Sequence, residues 1–496
     1  MILAPYVLAL AAASTPLPAR PPAVFLTYES GVLVAVDWEE RRPGQLHTRS
    51  VMTQSMVIDA TIQLRDDETA IRSTAALTMA GEKPGAPVER APGEETIFWS
   101  DMVPSSVEQA VLRARRLDRP VVRVPAASMF FPTRGEVVVE RVDSTDWVVS
   151  YHNKRYQVLT DGTGNLLAAS IPEYGVTIER RPGFRPEDYP LWAPNEAPPD
   201  RAYRAEEVRI PAPQGHVLAG TLTLPPGRGP FPAAVLITGL SPHERNNGSP
   251  PWMPLRDLAD ALTRAGIAAL RVDDRGVGQS TGDHAPSTTF DEAEDVRTEV
   301  AWLRARPGID ARRIALAGYS DGGLIAPMVA AEDSSIACIV TFAGPGVPGP
   351  EVARYQIEAA VVRDSTIAPA AREAEIQKQL AEPLSPREKS YLGIDPLSYA
   401  RRVRCPALIL QGASDLHVPL RSAERFASAM REGGNRDVTV RLFPGVSHSL
   451  LPDPGGLNSG WPMLPAFRTS PAMLETMAAW ASARLGARAG RNSTSR

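Results

Sequence analysis

The pattern that most constrains the fold is an alternation of apolar strands and helices that begins near Tyr203. A continuous apolar run at Ala233–Gly239 is typical of a strand that is buried on both faces. Further strand patterns, separated by helix patterns, follow at Ala268–Asp273, Arg313–Tyr319, Cys338–Phe342, Ala407–Gln411 and Val438–Phe443. This alternation predicts an α/β domain with a mostly parallel central sheet and helices on both faces. Ligands of such sheets bind beyond the carboxyl ends of the strands, so chemistry is expected there.

The remaining boundaries follow from changes in composition along the 496 residues. Residues 23–180 consist of short alternating segments with turn signals, which predict a smaller antiparallel β-rich domain with one helix at Val107–Leu117. Prolines recur in residues 181–202, which we interpret as an extended linker. The α/β domain then covers residues 203–486, and residues 487–496 form a flexible tail.

The N-terminus has the features of a targeting segment. Residues 2–13 form an apolar run that is too short to span a bilayer but fits the core of a secretory signal. Residues 1–22 are therefore predicted to be a signal peptide and the protein to be secreted or periplasmic. The positively charged region that usually precedes such a core is missing, because no Lys or Arg comes before the run. If the segment is not a signal, the protein is expected to be cytoplasmic.

One long insertion interrupts the α/β pattern at about residues 345–404. Helical stretches at Val352–Val362 and Ala370–Leu380 alternate there with proline clusters. The insertion leaves the carboxyl end of a predicted strand, so it is expected to lie over the binding crevice as a helical lid.

Charge and cysteine content exclude several classes of function. The 53 basic and 57 acidic residues give a net charge of −4 without a basic stripe, so nucleic acid is not a predicted partner. No segment predicts an integral membrane span. Cys338 and Cys405 lack the spacing of a zinc site, and the sequence leaves open whether they form a disulfide. It also leaves the oligomeric state open.

The strongest chemical signal is a G-x-S-x-G pentapeptide between a strand pattern and a helix pattern. In Gly318-Tyr319-Ser320-Asp321-Gly322, the serine falls on the turn from strand to helix. Such a turn exposes the serine hydroxyl at the carboxyl end of the sheet. The hydroxyl is a weak nucleophile at neutral pH and needs a neighbouring base. We therefore predict Ser320 to be a nucleophile.

An acid and a histidine are expected downstream of such a serine. Asp415 follows the strand pattern at Ala407–Gln411, and His448 follows the one at Val438–Phe443. We predict that His448 is the base and that Asp415 holds its tautomer. His417 is a rival base, but it lies only two residues from the proposed acid.

Acyl transfer also requires hydrogen-bond donors for the developing oxyanion. One predicted donor is the backbone N–H of Asp321, directly after the nucleophile. The other is the backbone N–H of Leu240, in the turn after the strand pattern at Ala233–Gly239.

Two other patterns are interpreted as structural. Gly276 and Gly278 follow a strand pattern, but no helix opens after them, which argues against a dinucleotide site. Asp273, Asp274, Asp283 and His284 suggest a metal cluster, and we interpret them instead as turn residues that cap and pair with Arg275. No cofactor and no metal is predicted.

These motifs give residues 203–485 a resemblance to α/β-hydrolases of the serine esterase and aminopeptidase-like type. Gly239–Arg245 resembles that group's loop after the first central strand, with Leu240, Ser241 and Glu244 in place of its usual serine, glycine and aspartate. Asp273–Ser280 resembles its Asp-x-Arg-Gly-x-Gly-x-Ser turn, and the triad positions match without substitution.

The resemblance implies cofactor-free hydrolysis of small carboxylic esters through an acyl-enzyme. The alternative is amide hydrolysis by a serine peptidase or aminopeptidase-like enzyme on short peptides. Such a peptidase needs acidic side chains that bind the substrate's amine. Glu358, Glu373 and Glu375 lie in the insertion and are candidates for this role, but they are equally well explained as surface glutamates of helices.

The β-rich domain leaves two interpretations open. The first is a module that binds a ligand or partner in a hydrophobic pocket, and the second is a plain sheet core. Both would use the aromatic residues of this domain, Phe98, Trp99, Phe130, Phe131 and Trp147.

Overall fold

The computed structural model describes residues 22–487 except 30, 94, 101–102, 130–133, 153, 186–187, 241, 365 and 457–467. The chain forms two compact units, Met1–Leu191 and Trp192–Arg496. Residues 1–21 of the predicted signal peptide and 488–496 of the predicted tail lie outside the described residues. No helix within the described part of the chain combines the length and apolar character needed to cross a bilayer.

The first unit is built on one long sheet with a single described α-helix, α1 (Pro104–Leu117). In chain order its strands are β1 (Ala23–Glu29), β2 (Val32–Arg42), β3 (Gln45–Met52), β4 (Met56–Leu64), β5 (Ala70–Met79), β6 (Val88–Arg90), β7 (Ile97–Phe98), β8 (Val121–Ala127), β9 (Arg134–Arg141), β10 (Asp146–Tyr151), β11 (Lys154–Thr160), β12 (Leu166–Ile171) and β13 (Val176–Arg180). Their order in the sheet is β6-β5-β4-β3-β2-β1-β13-β12-β11-β10-β9-β8-β7. Neighbouring strands are antiparallel except for the short parallel pair β7–β8. The unit is therefore β-rich.

Aromatic side chains of the first unit belong to its core. Phe98, Trp99 and Trp147 are all buried, and the indole N–H of Trp147 donates to Thr160 Oγ1 at 3.2 Å. Phe130 and Phe131 lie outside the described residues. The sheet-core interpretation accounts for the three described aromatics, so they give no support to a hydrophobic ligand pocket.

The second unit contains an eight-stranded sheet among the described residues. Its strands are β14 (Arg204–Pro211), β15 (Val217–Leu224), β16 (Phe231–Ile237), β17 (Ala268–Val272), β18 (Ile309–Tyr319), β19 (Cys338–Phe342), β20 (Ala407–Gly412) and β21 (Val438–Phe443). Their order is β14-β15-β17-β16-β18-β19-β20-β21. From β17 onward in this order neighbouring strands are parallel, and β14 and β15 form an antiparallel edge. The carboxyl ends of the parallel strands therefore meet at one edge of the sheet.

Helices cover both faces of this sheet because the central strands are apolar on both sides. The helices described in the second unit are α2 (Pro254–Arg264), α3 (Thr289–Ala305), α4 (Gly322–Glu332), α5 (Gly349–Arg363), α6 (Arg372–Leu380), α7 (Pro386–Gly393), α8 (Pro396–Ala400), α9 (Arg421–Glu432) and α10 (Pro471–Leu485), of which α5 to α8 belong to the insertion. In β16, Ala233 and Val235 pack in a cluster with α3, α4 and α9, whereas Ala234 and Leu236 pack with α2 and α10. Alternate side chains of one strand thus stabilise two helical layers.

The insertion folds into α5 to α8 and a short 3-10 turn at Pro369–Ala371. In its first half, α5 has four buried residues, Gly349, Val352, Ala359 and Val361, and α6 has one, Ile376. Its second half joins the main core, where Tyr391, Ile394 and Ala400 pack among residues of the sheet and helices. The α7 and α8 helices extend the insertion beyond the two helical stretches that the sequence pattern indicates.

The two cysteines are free thiols. Cys338 lies buried in β19 and Cys405 is half-buried just before β20. Burial raises the pKa of both thiols to about 12, which keeps them protonated at neutral pH. They behave as small apolar side chains of the core.

Candidate active site

Ser320 lies on a strained turn between β18 and α4. Its φ is +56°, which is unusual for any residue other than glycine. A Cβ at Gly318 would come within 1.9 Å of the carbonyl oxygen of Gly322, and one at Gly322 would lie 2.5 Å from the carbonyl oxygen of Ile237. The turn therefore requires glycine at both positions, and it leaves the Ser320 side chain half-buried rather than enclosed.

The three side chains named from the sequence form one hydrogen-bonded row. His448 Nε2 lies 3.1 Å from Ser320 Oγ, and His448 Nδ1 lies 3.0 Å from Asp415 Oδ2. The residues come from the carboxyl ends of β18, β20 and β21. This is the relation of nucleophile, base and orienting carboxylate that serine acyl transfer requires.

His417, the rival base, packs against the ring of His448. Its ring stacks on the His448 ring with centroids 4.7 Å apart and an interplanar angle of 9°. Burial, and then the neighbouring His448, lower the pKa of His417 to about 4. His417 is thus a neutral ring against which the base packs, and His448 is the histidine in contact with Ser320.

Backbone groups fix the carboxylate of Asp415. Its Oδ1 accepts the N–H groups of His417 and Val418, both at 2.8 Å, which leaves Oδ2 to face His448. The hydroxyl of Tyr355, on α5 of the insertion, donates to the backbone carbonyl of Asp415 at 3.0 Å. The insertion therefore contacts the site directly at this residue.

The two predicted oxyanion donors lie in loops that approach each other. A Cβ at Gly239 would lie 3.6 Å from Ser320 Cβ, so the Gly239–Leu240 turn comes close to the nucleophile. Within the described residues, neither the Leu240 N–H nor the Asp321 N–H has a hydrogen-bond acceptor. Two free amides near a serine hydroxyl are what an oxyanion hole needs.

Contacts of Asn247 and Arg245 help to fix the loop after β16. Asn247 Oδ1 accepts the Gly239 N–H at 2.8 Å. The guanidinium of Arg245 forms a bidentate pair with Asp273, with Nε–Oδ1 at 2.9 Å and Nη2–Oδ2 at 2.8 Å. Both partners of this ion pair are buried, so the pair holds the loop against the end of β17.

The predicted pairing of the Asp273–Asp274 turn with Arg275 is wrong. Asp273 pairs with Arg245, and Asp274 accepts from Thr238 Oγ1 at 2.6 Å and from the His243 N–H at 2.9 Å. Arg275 instead reaches α3, where its Nε lies 2.7 Å from Asp295 Oδ2. The physical reason is that α3 presents carboxylates to Arg275, whereas Arg245 fits both oxygens of Asp273.

A buried charged cluster surrounds Arg387 of α7. Its Nη1 lies 2.6 Å from Glu292 Oε1, and its Nη2 lies 3.3 Å from Asp321 Oδ2. Burial raises the pKa of Asp274, Glu292 and Asp321, and the charge of Arg387 opposes that rise in each case. Burial alone would lower the pKa of the Arg387 guanidinium, but these carboxylates raise it. Arg387 is therefore the cation of the cluster.

Part of this cluster has the composition of a metal site. Asp274, His284 and Glu292 offer ligand atoms within 4.8 Å of one another. The guanidinium of Arg387 already lies 2.6 Å from Glu292 and supplies a positive charge there. Burial and then the charge of Arg387 lower the pKa of His284, so the ring stays neutral at neutral pH. We interpret the cluster as a carboxylate–guanidinium network.

The acidic side chains considered for an amine site are engaged with their neighbours. Glu358 lies 2.6 Å from Arg354 Nε, and Glu373 pairs with the same arginine at 3.3 Å. Glu375 lies 3.2 Å from Lys378 Nζ. These pairs are of the kind that surface helices form, as the structural interpretation of the three glutamates expects.

Two residues that contact the site have no signal in the sequence. Arg387 contacts Asp321, next to the nucleophile, and Tyr355 contacts Asp415. Both residues belong to the proline-rich insertion, whose sequence pattern does not indicate these contacts with the site. The pattern Ser385-x-x-Glu388 does indicate a helix start, and the structure shows the full capping box there. It does not indicate which side chain of that helix turns inward.

Family models match two overlapping parts of the second unit. Residues 214–349 match the X-Pro dipeptidyl-peptidase (S15 family) model, and residues 296–454 match the BAAT / acyl-CoA thioester hydrolase C-terminal model. The second match includes Ser320, Asp415 and His448.

Two curated relatives match part of the chain. Esterase EstD of Thermotoga maritima is 27% identical over 250 residues, which are 48% of this chain and 59% of that protein. Thiohydrolase apmlB of Arthrinium phaeospermum is 30% identical over 180 residues, 36% of this chain and 54% of that protein. The chain thus spans somewhat more than half the length of these two relatives.

Two solved structures, of which one is named an α/β-hydrolase, align with part of the chain. GrgF from Penicillium sp. sh18 aligns with a TM-score of 0.41 and 19% identity, over 57% of this chain and 99% of that one. Est1E from Butyrivibrio proteoclasticus aligns with a TM-score of 0.38 and 18% identity, over 56% and 99%. The sheet order and the strand–serine–helix turn give the second unit an α/β-hydrolase fold, and the family models and the two relatives that the chain matches are those of hydrolases.

Proposed function

We propose that the protein hydrolyses small carboxylic esters through an acyl-enzyme formed on Ser320. The observation that carries this proposal is the hydrogen-bonded row of Ser320, His448 and Asp415, with 3.1 Å between the hydroxyl and the imidazole. The match to an esterase over 250 residues supports the same chemistry.

In the first half-reaction, Ser320 Oγ attacks the ester carbonyl carbon and His448 Nε2 accepts the hydroxyl proton. The carbonyl oxygen becomes an oxyanion that the N–H groups of Asp321 and Leu240 bind. His448 then donates its proton to the leaving alcohol, and the acyl group remains on Ser320. Asp415 stabilises the imidazolium at each step through Nδ1.

In the second half-reaction, water takes the place of the alcohol. His448 accepts a proton from the water, which attacks the acyl carbon and forms the second tetrahedral intermediate. Collapse returns the proton to Ser320 Oγ and releases the carboxylic acid. The cycle uses only side chains and backbone amides of this chain, so no cofactor is part of the proposal.

Amide hydrolysis is the second candidate, because residues 214–349 match the X-Pro dipeptidyl-peptidase (S15 family) model. The triad chemistry is the same, but the leaving group is an amine, and a short peptide would be the substrate. Glu358, Glu373 and Glu375 are already paired with basic neighbours, which weakens the case for an aminopeptidase-like amine site.

The test is a substrate panel on wild type and Ser320→Ala. The panel contains p-nitrophenyl esters of increasing acyl length, an acyl thioester and aminoacyl anilides. We expect kcat/KM to be highest for one of the oxygen esters and Ser320→Ala to lose that turnover. Faster turnover of the anilides would replace the esterase proposal with the peptidase one, and faster thioester turnover would replace it with a thioesterase.

A further inference from the structure

Arg387 makes a contact that its role as the counter-ion of Glu292 does not explain. Its Nη2 donates to the backbone carbonyl of Gly239 at 3.0 Å and also lies 3.3 Å from Asp321 Oδ2. The Arg387 side chain is 5% exposed, so these contacts are made away from bulk water. One nitrogen of the insertion thereby touches both loops of the proposed oxyanion hole.

The contact with Gly239 acts on Leu240 through the peptide bond. The carbonyl of Gly239 and the N–H of Leu240 belong to the same peptide group, which is planar and in the trans form points them in opposite directions. A donor that fixes the direction of the carbonyl therefore fixes the direction of the N–H. Hydrogen bonding at the carbonyl also polarises the amide and strengthens its N–H as a donor.

The preceding peptide is held as well. The N–H of Gly239 donates to Asn247 Oδ1 at 2.8 Å, so Gly239 is fixed at its nitrogen by one side chain and at its oxygen by another. Rotation of the Gly239–Leu240 peptide would break the Arg387 contact in a buried setting, which is costly. The Leu240 N–H is thus preorganised before substrate binds.

The contact with Asp321 concerns the second donor. Asp321 carries the other proposed oxyanion N–H, and its own carboxylate is buried beside the guanidinium. Without Arg387, that carboxylate would be left in the protein interior with no cation beside it. It would then be free to move and to change the direction of the backbone amide.

We propose that Arg387 is a positioning residue of the oxyanion hole, which holds the Leu240 and Asp321 amides in the direction that the tetrahedral oxyanion requires. This inference rests on the proposed function. It means that the insertion supplies part of the active-site framework through α7 and does more than cover the crevice.

The test compares Arg387→Met and Arg387→Lys with wild type and with Arg401→Met, which removes an exposed arginine that pairs with Glu432. For Arg387→Met, kcat on the preferred ester should fall about 10- to 100-fold, whereas KM changes less than about threefold. Arg387→Lys keeps the charge but lacks the planar fork, so it should show a smaller fall in kcat. Binding of a trifluoromethyl ketone, which forms a tetrahedral adduct, should weaken by the same factor as kcat. Arg401→Met should behave as wild type.

A double variant separates positioning from simple charge balance. If Arg387 only neutralises Glu292, then Glu292→Gln combined with Arg387→Met should recover kcat. Positioning predicts that the double variant remains as impaired as Arg387→Met. Recovery in the double variant, or wild-type kcat in a folded Arg387→Lys protein together with wild-type inhibitor binding, would overturn the inference.

Thermal unfolding shows which variants fold, and Arg387→Lys decides the outcome where Arg387→Met does not fold. The same assay includes Ser320→Ala. If that variant retains ester turnover, the proposed function itself fails. If Ser320→Ala is inactive and both Arg387 variants match wild type, only the positioning role fails.

Discussion

The ring of His417 lies parallel to the ring of His448, with 4.7 Å between centroids. Because burial and the neighbouring imidazole lower the pKa of His417 to about 4, the ring is neutral over the pH range in which His448 must act as a base. A charged ring in this position would oppose the imidazolium that forms on His448 during acyl transfer. The stack therefore supplies a packing surface without a competing charge.

The lowered pKa of His417 makes stability depend on pH. In the unfolded chain the imidazole takes up a proton near its ordinary pKa of 6.5, whereas in the folded chain its pKa is about 4, so folding stability falls as pH falls through this range. Urea unfolding of wild type should lose about 1 to 2 kcal/mol from this residue between pH 7 and pH 5. His417→Phe keeps a ring and should lose correspondingly less. An equal loss of the free energy of unfolding in wild type and His417→Phe would contradict the lowered pKa of His417.

Asp415→Asn should lower kcat by about 10³- to 10⁴-fold while the protein stays folded. Two backbone N–H groups occupy the side of Oδ1, so the asparagine oxygen will face them and its NH₂ group will face His448. Nδ1 must then accept, which places the proton on Nε2 and removes the base for Ser320. Steady-state kinetics and ¹⁵N NMR of the histidines measure the two effects.

Asp437→Asn is the matched control, since Asp437 forms a surface pair with Arg484. We expect its kcat to remain within about twofold of wild type, because exposed ion pairs contribute little. A similar loss in both variants would mean that Asp415 acts through general stability rather than through the tautomer of His448.

Gly318→Ala tests the strain of the nucleophile turn. The added Cβ would lie 1.9 Å from a backbone oxygen, so the turn must open, and we expect loss of activity with a destabilisation of several kcal/mol. Gly393→Ala is the control, because nothing lies within 4 Å of a Cβ at that position. Urea midpoints and ester turnover of the two variants are compared. A folded, active Gly318→Ala protein would contradict the described turn.

Arg245→Met should destabilise the protein by about 3 to 5 kcal/mol, since it leaves the buried carboxylate of Asp273 without its partner. Arg484→Met removes an arginine from an exposed pair and should cost less than about 1 kcal/mol. Chemical unfolding of both variants measures the difference. Equal small effects would show that the Arg245–Asp273 pair does not hold the loop after β16.

The parallel part of the sheet could be predicted because its strands carry an unmistakable pattern. Ala233–Gly239 is apolar except for its last two residues, and such a short run is typical of a strand covered on both faces. The same pattern locates the carboxyl ends of β18, β20 and β21. Since the chemistry of a parallel sheet lies at those ends, Ser320, Asp415 and His448 could be named from their positions in the sequence.

Partners of buried arginines could not be predicted in this way. Asp273 and Arg275 lie only two positions apart in the sequence, which favoured their pairing, but Arg245 and Asp295 are the partners that the tertiary structure brings to them. Arg387 is a stronger case, because α7 lies in an insertion without sheet periodicity. The inward direction of the Arg387 side chain depends on how Tyr391 and Ile394 pack into the core, and this packing has no counterpart in the sequence pattern.

The most direct test of the account is covalent labelling of the nucleophile. Intact-mass and peptide mass spectrometry after treatment with a fluorophosphonate should show one adduct, located on Ser320, and Ser320→Ala should remain unlabelled. His448→Ala should label far more slowly than wild type, since the hydroxyl would lose its base. Wild type without an adduct, or an equal adduct on Ser320→Ala, would contradict the assignment of Ser320 as the acyl-accepting residue.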